Sequence, residues 1–359
     1  MGFVMRILAW PGKESKKHNP YCYLLYSEMA AKGCLVDDFI MSIRKAKTRL
    51  ITTKYDVFHV HWPEHILYQS SFFSSLFKLH ILFSIIFALK CRGTKLVWTV
   101  HNLAPHGSVN PFARRLFYRY LLRSVDAVIY LSKESVRLAE AQYEILERKP
   151  KVIIPHGHYI GVYPNKMSKE EARTFLGIRQ DAFVFLFFGR LMPYKGIEDL
   201  ITAFKELKSP ACVLLIAGES KDNRYARKLK EFVGKHIDFI KLIDRYIPDD
   251  EVQVFMKAAD IVVLPYRRIL NSGTALLALS FGRPVIVPAQ GSMRELRDIV
   301  GLEWVYVYTP PITGKVLADC IRWGLKQRQS DGPDLSPLNW HVIAEKTYSF
   351  FKQLMENGN

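Results

Sequence analysis

Cysteine is scarce in this chain: Cys22, Cys34, Cys91, Cys212 and Cys320 are all there are in 359 residues. They are odd in number, far apart and never spaced as CxxC. That excludes a disulfide framework and a cysteine zinc site, and it predicts a reducing compartment. Metal-binding spacing is missing as well, because the histidines lie near no regularly spaced Asp or Cys. No secretory leader is read, since Met1 runs directly into Arg6-Ile7-Leu8-Ala9-Trp10, which has the pattern of a first strand. A bilayer-crossing run is also lacking by this reading. Residues 76–89 are apolar, but Lys78 and His80 interrupt them and they fall short of the ~20 residues a span needs. They are expected to form a buried crossover helix between two parallel strands.

What is present is an ordinary globular composition, 49% hydrophobic and 24% charged, over a length that predicts two domains. The net charge of +17 is uneven: residues 1–165 hold 23 Lys+Arg against 11 Asp+Glu, +12, leaving +5 for the rest. A basic half suits nucleic acid, anionic lipid or a phosphate-bearing substrate, and charge alone does not choose among them.

Short β-branched and aromatic runs at 6–10, 57–60, 96–100, 127–131 and 152–154 alternate with helical patterns. A second series follows at 183–188, 213–217, 239–242, 261–264, 285–287 and 304–308. This alternation predicts two α/β units with parallel sheets covered on both faces. The breakers divide the chain into 1–160, 161–328 and a helical segment, 329–359, expected to pack back on the first unit. The helix over 20–32 has Asn19 as its expected N-cap and Gly33 as its stop. Ligands of such sheets bind at the carboxyl ends of the strands, so the loops after each strand hold the candidates, and the site is expected in a cleft between the domains.

Two loops carry the chemistry. Gly189 ends the strand 183–188 and is followed by Arg190 and Lys195, fixed cations suited to a diphosphate leaving group. Asn271, Ser272, Gly273 and Thr274 then open a helix whose first N–H groups can hold an anion. A solvated turn and a plain Ser N-cap are the bland alternatives for each.

The segments Gly189-Arg190-Leu191 with Lys195-Gly196, Ala217-Gly218-Glu219, Tyr246-Ile247-Pro248 and Phe281-Gly282-Arg283-Pro284 together resemble the donor domain of GT-B glycosyltransferases, family 4-like. His59-Val60-His61-Trp62 and Thr99-Val100-His101-Asn102 look like acceptor-domain loops of the same group. The resemblance implies two Rossmann-like domains facing across a cleft. It assigns Arg190 and Lys195 to the nucleotide diphosphate, the backbone at Tyr246 and Ile247 to the nucleobase, and Asn271 to Thr274 to phosphate or sugar. It also implies transfer with no cofactor and no metal, the nucleoside-diphosphate sugar being a co-substrate.

One departure matters. Aligning on Gly282-x-Pro284 places Ile269 and Leu277 where retaining family 4 members carry two glutamates. With both acids missing, the pattern resembles bacterial exopolysaccharide transferases of the xanthan β-mannosyltransferase kind, and an inverting reaction is expected. Such a reaction needs a general base on the acceptor hydroxyl. Glu64, His101 and His61 are the candidates, with Glu64 favoured as base and His101 as a sugar or phosphate contact; each could instead be a packing residue.

The expected activity is hexosyl transfer from GDP-mannose or a UDP-sugar to a lipid-linked or oligosaccharide acceptor, in surface polysaccharide synthesis. A cytoplasmic enzyme resting peripherally on anionic membrane fits the basic first domain, which carries Arg92, Lys95, Arg114, Arg115, Arg119 and Arg123. No nucleic-acid partner is expected, because no aromatic RNA motif or recognition helix is visible. The competing readings are a retaining transferase, a nucleotide-sugar epimerase and a non-catalytic basic binding protein.

Overall fold

The computed structural model describes residues 4–14, 20–45, 53–67, 71–103, 110–234, 238–325 and 332–356. Two compact units result, Met1–Gly157 with Leu338–Asn359, and His158–Pro337.

In the first unit the strands are β1 (Arg6–Trp10), β2 (Leu35–Asp38), β3 (Val57–Val60), β4 (Lys95–Val100), β5 (Ala127–Tyr130) and β6 (Lys151–Ile153). They form one parallel sheet in the order β2-β1-β3-β4-β5-β6. Its helices are α1 (Pro20–Ala31), α2 (Phe39–Lys45), α3 (Phe72–Cys91), α4 (Pro111–Ser124) and α5 (Lys133–Gln142), with α13 (Trp340–Glu356) added from the chain's end. The strands β3 and β5 are buried at every position, as expected where helices cover both faces of the sheet, and β3 buries one polar residue, His59, among its apolar ones. Sequence reading misses β2 because Leu-Val-Asp-Asp carries no strand periodicity. Its acids instead suit an edge and serve locally: Asp38 accepts from the Gly12 N–H at 2.6 Å and from the Met41 N–H at 2.8 Å.

Helix α13 packs along α1 within this unit, with Trp340 edge-on to Tyr21 at 5.0 Å between centroids. Asn19, the expected cap of α1, lies outside the described residues. Helix α4 begins as its sequence dictates: the Asn110 side chain accepts from the N–H groups of Phe112 and Ala113, and Pro111 occupies the first turn.

Helix α3 corrects one expectation. It is the crossover between β3 and β4, but it runs for 20 residues, and by length and composition it could cross a membrane. Lys78 and His80 do not interrupt it. Its inward stripe is Ser75, Leu79, Leu82, Ile86 and Leu89. Its outward face is apolar too.

In the second unit the strands are β7 (Phe183–Phe188), β8 (Cys212–Gly218), β9 (Ile240–Asp244), β10 (Ile261–Val263), β11 (Val285–Pro288) and β12 (Val305–Tyr308). They form a parallel sheet in the order β12-β11-β10-β7-β8-β9. The helices are α6 (Lys169–Phe175), α7 (Ile197–Leu207), α8 (Asn223–Val233), α9 (Val252–Ala258), α10 (Gly273–Ser280), α11 (Met293–Val300) and α12 (Gly314–Gly324). In each unit the strand order reverses at one point, between β1 and β3 in the first and between β7 and β10 in the second. Crevices open at the carboxyl ends of strands beside such reversals. Candidate residues lie in the loops after β3, β4, β7, β9 and β10, and those after β3, β7 and β10 stand at the reversals.

Candidate active site

In the first unit, His59 and His61 end β3 and continue it, Thr99 lies on β4 and His101 just beyond, and all four are buried. A chain of hydrogen bonds joins them. Thr99 Oγ1 lies 2.7 Å from His59 Nε2, His59 Nδ1 lies 2.9 Å from the Tyr26 hydroxyl, and that hydroxyl lies 2.8 Å from His61 Nε2. His61 Nδ1 then lies 3.0 Å from His101 Nε2. The tyrosine has one proton and two ring nitrogens to serve, so it donates to one ring and accepts from the other. With neutral rings this couples the tautomers: all three histidines carry the proton on Nε2, or all three on Nδ1.

The rings are neutral because burial disfavours their charge. It pushes His59 down to about 3 and holds His61 and His101 well below the usual histidine range, with neighbouring histidines adding to the effect for the latter two. Trp62 stacks on His101 at 4.0 Å between centroids and 25° between planes, and Tyr21 meets His101 edge-on at 4.8 Å. The orientation of His101 is therefore set by two aromatic contacts and at one ring nitrogen.

Glu64 lies in the 3-10 turn Pro63–Leu67 that follows β3, and it is 3% exposed. Burial raises its carboxyl to about 7, against the opposing pull of hydrogen bonds from its own backbone and from the Asn102 side chain. A carboxyl titrating near neutrality, beside histidines that carry no charge, is suited to take a proton from a hydroxyl.

The second unit gathers the residues of the candidate anion site. Gly189 ends β7 at φ +116, where a side chain would be strained, and a Cβ there would lie 3.2 Å from Lys195 Nζ and 3.5 Å from Thr274 Oγ1. Lys195 and Thr274 thus converge on the Gly189 backbone. Gly196, at φ +68, passes so close to the Pro265 carbonyl that a Cβ would meet it at 2.1 Å. This contact ties the basic loop to the loop after β10. A bidentate ion pair from Arg267 to Asp199, both bonds 2.7 Å, and the Arg267 N–H donating to the Tyr194 carbonyl at 2.9 Å complete the brace.

Lys195 is 9% exposed, with Nζ 5.9 Å from the centre of the Phe187 ring and 5.5 Å from that of Tyr266. Burial lowers its pKa, and the neighbouring Arg190 cation adds to this. A desolvated cation with a second cation beside it gains from an arriving anion. Arg190 is exposed. Ser272 caps α10, its hydroxyl accepting from the Ala275 N–H at 3.2 Å, so the N–H groups at 273 and 274 have no acceptor within the helix. The Tyr266 hydroxyl bonds to Thr274 and Ser272, which aligns the helix start with Lys195. Tyr246 is 59% exposed, with its carbonyl accepting from Arg245 at 3.1 Å, while Ile247 is buried.

Residues 168–315 match the family described as glycosyl transferases group 1, and residues 38–157 match the glycosyl transferase 4-like domain. A GDP-mannose:glycolipid 4-beta-D-mannosyltransferase from Xanthomonas campestris is 30% identical over 97% of this chain and 92% of its own length. The chain belongs to the GT-B glycosyltransferases. Solved structures agree on the fold. Sucrose-phosphate synthase from Thermosynechococcus elongatus superposes with a TM-score of 0.71 at 17% identity, covering 98% of this chain and 100% of that one. Anabaena HepE, solved with UDP, gives 0.65 at 18% identity over 99% of both.

In this glycosyltransferase the positions aligned with the two missing glutamates are occupied as follows. Leu277 is a buried core residue of α10. Ile269 precedes Leu270, whose carbonyl accepts from the Ser292 N–H at 2.9 Å. The candidates of the donor half, Gly189, Arg190, Lys195, Ser272, Gly273 and Thr274, lie around one pair of loops, and Asn271 precedes the cap. In the first unit His61 and His101 touch directly, and Glu64 is hydrogen-bonded to Asn102, the residue after His101. Sequence reading missed Tyr26 and Tyr21 on α1 and the supporting role of Arg267 with Asp199. A histidine at i and i+2 of a buried strand, His59 and His61, was the available sign that a polar partner had to exist across the sheet face.

Proposed function

We propose that this glycosyltransferase moves mannose from GDP-mannose to a lipid-linked saccharide, with inversion, at the cytoplasmic face of a membrane. Each unit supplies one observation that supports this reading: in the first, Glu64 is buried in the turn after β3 with its carboxyl raised to about 7, and in the second, the buried Lys195 and the start of α10 converge on Gly189. The name of the Xanthomonas relative, a β-mannosyltransferase acting on glycolipid from GDP-mannose, supports the choice of donor and acceptor.

In the proposed reaction the acceptor hydroxyl oxygen attacks the anomeric carbon as the bond from that carbon to the diphosphate oxygen breaks. Glu64 takes the hydroxyl proton. The electron pair leaves with the nucleoside diphosphate, whose added charge is met by Lys195, Arg190 and the N–H groups opening α10. No resident cofactor is assigned a step. Neutral His101 serves as a hydrogen-bond partner for a sugar hydroxyl or phosphate oxygen, its direction set by the tyrosine-linked histidine chain. An α-linked donor then yields a β-linked product. The absence of both family 4 glutamates at Ile269 and Leu277 supports this stereochemistry.

The test is product analysis with GDP-mannose and a lipid-linked acceptor, reading the new anomeric centre by NMR. A β-mannoside is expected. An α-mannoside sinks the inverting role of Glu64, and turnover of a UDP-sugar in preference to GDP-mannose replaces the donor.

A further inference from the structure

Helix α3 is apolar on the wrong side. Beyond its buried stripe it exposes Phe73 at 80%, Phe77 at 67% and Phe87 at 66%. A helix that is hydrophobic all round is normally enclosed. On α4, which packs along α3, Phe112 and Leu116 are likewise exposed, next to exposed Arg115 and Arg119. Rings beside arginines suit the boundary between headgroups and hydrocarbon, where the ring is buried and the cation meets phosphate.

The other flank of α3 forms a wall of a cavity of about 380 Å³. Phe39 and Ile43 of α2, Ile66 of the 3-10 turn, and Leu82 and Ile85 of α3 line it. Lys78 and His65 also border it. His65 and Ile66 follow Glu64 directly in the same turn. An apolar cavity of this size with a cation on its wall matches a hydrocarbon chain ending in phosphate, and not a sugar, which needs a polar lining.

We propose that this groove between α2, the 3-10 turn and α3 holds the hydrocarbon chain of a diphosphate-linked lipid acceptor, with Lys78 toward its phosphates. The exposed phenylalanines of α3 seat the groove in the bilayer surface, so the chain enters from the membrane and its head is delivered beside the turn that carries Glu64. This rests on the lipid-linked acceptor of the proposed function, and it adds where the lipid binds.

The variant Ile85→Trp fills the groove without touching the carboxyl or the donor loops. Its transfer is compared with wild type on a long-chain lipid-linked acceptor and on a water-soluble acceptor bearing the same saccharide on a short alkyl group. Loss of several buried methylenes predicts a fall in kcat/KM of about tenfold or more on the lipid acceptor. No comparable change is expected on the soluble one. An equal loss on both, or no loss on the lipid acceptor, overturns the proposal. Unchanged stabilisation by GDP on heating shows that the variant is folded. If wild type transfers mannose to neither acceptor, the functional reading fails on its own, and the groove is judged by binding of fluorescently labelled farnesyl diphosphate. Saturable binding that weakens about tenfold in Ile85→Trp upholds the groove; equal binding to both proteins, or none to wild type, overturns it.

Discussion

The two units share one architecture, a six-stranded parallel sheet with a strand-order reversal, yet their candidate sites handle charge in opposite ways. The first unit carries the larger formal charge, +12 over residues 1–165, but its site is electrically quiet. Burial keeps His59, His61 and His101 neutral and raises Glu64 to about 7. The rest of the chain carries only +5, yet the second unit places Lys195 in a dry position beside Arg190. Net charge thus says little about where a reaction's charges are handled. A base must be able to gain a proton near neutral pH, and an anion site must hold its charge ready; burial serves the first and a second cation sharpens the second.

The comparison breaks most easily at Glu64. Glu64→Gln keeps the shape and removes the proton acceptor, and kcat is expected to fall by about 10²–10⁴. In wild type kcat rises with pH through about 7 as the carboxyl ionises, and then levels. Steady-state rates across pH 5 to 9 read both, and a variant with wild-type activity ends the base assignment. Next comes Lys195→Ala, expected to lower kcat by about 10²–10³ because the leaving diphosphate loses its buried donor. Arg190→Ala should cost less, since that side chain is exposed. Equal losses in the two would mean that burial adds nothing at Lys195.

A third measurement sets the sign of the first unit's burial against stability. Because the folded-state pKa of Glu64 lies above the ordinary value of 4.5, the folded protein binds this proton more tightly than the unfolded chain. That contribution is complete below about 4.5 and is lost as pH rises through about 7. The histidines, with lowered values, act in the opposite sense and lose their contribution as pH falls below 6.5. Glu64→Gln isolates the carboxyl. Its stability gain over wild type in urea unfolding should be on the order of 3 kcal/mol at pH 8 and vanish near pH 4. A gain that does not change with pH means the carboxyl is not desolvated as described.

The same contrast explains what could be read in the sequence. The candidates of the second unit were legible because they are local in the chain: Gly189 to Gly196 is one loop, Ser272 to Thr274 one helix start, and glycine, cation and cap residues are meaningful in order. The first unit was legible only as isolated candidates, because its polar cluster is assembled across strands. Tyr26 on α1 lies 33 residues from His59 and 35 from His61, its two hydrogen-bond partners. No spacing rule finds such a residue. Strand β2 and the outward face of α3 were hidden for a related reason. Acidic residues serving local turns conceal the one, and a helix apolar on all sides has no periodicity from which to read the other.

The smallest expected effect tests the least legible element. Tyr26→Phe removes one buried hydroxyl and leaves both ring nitrogens it served, so the tautomers of His59 and His61 are no longer coupled. The proton position of His101 is then no longer tied to that of His59, although Trp62, Tyr21 and His61 still hold the ring. A loss in kcat of about tenfold is expected, in line with ~1–1.5 kcal/mol for a hydrogen bond. The donor KM should not move, since the anion site is in the other unit. A merely structural role would also lower stability, so the deciding reading is nitrogen NMR of the histidine side chains. Wild type should show His59, His61 and His101 protonated at the same ring position, Nε2 in all or Nδ1 in all, and Tyr26→Phe should show mixed positions. If the wild-type rings already differ, the hydroxyl does not couple them, and the orientation of His101 is left to Trp62 and Tyr21 alone.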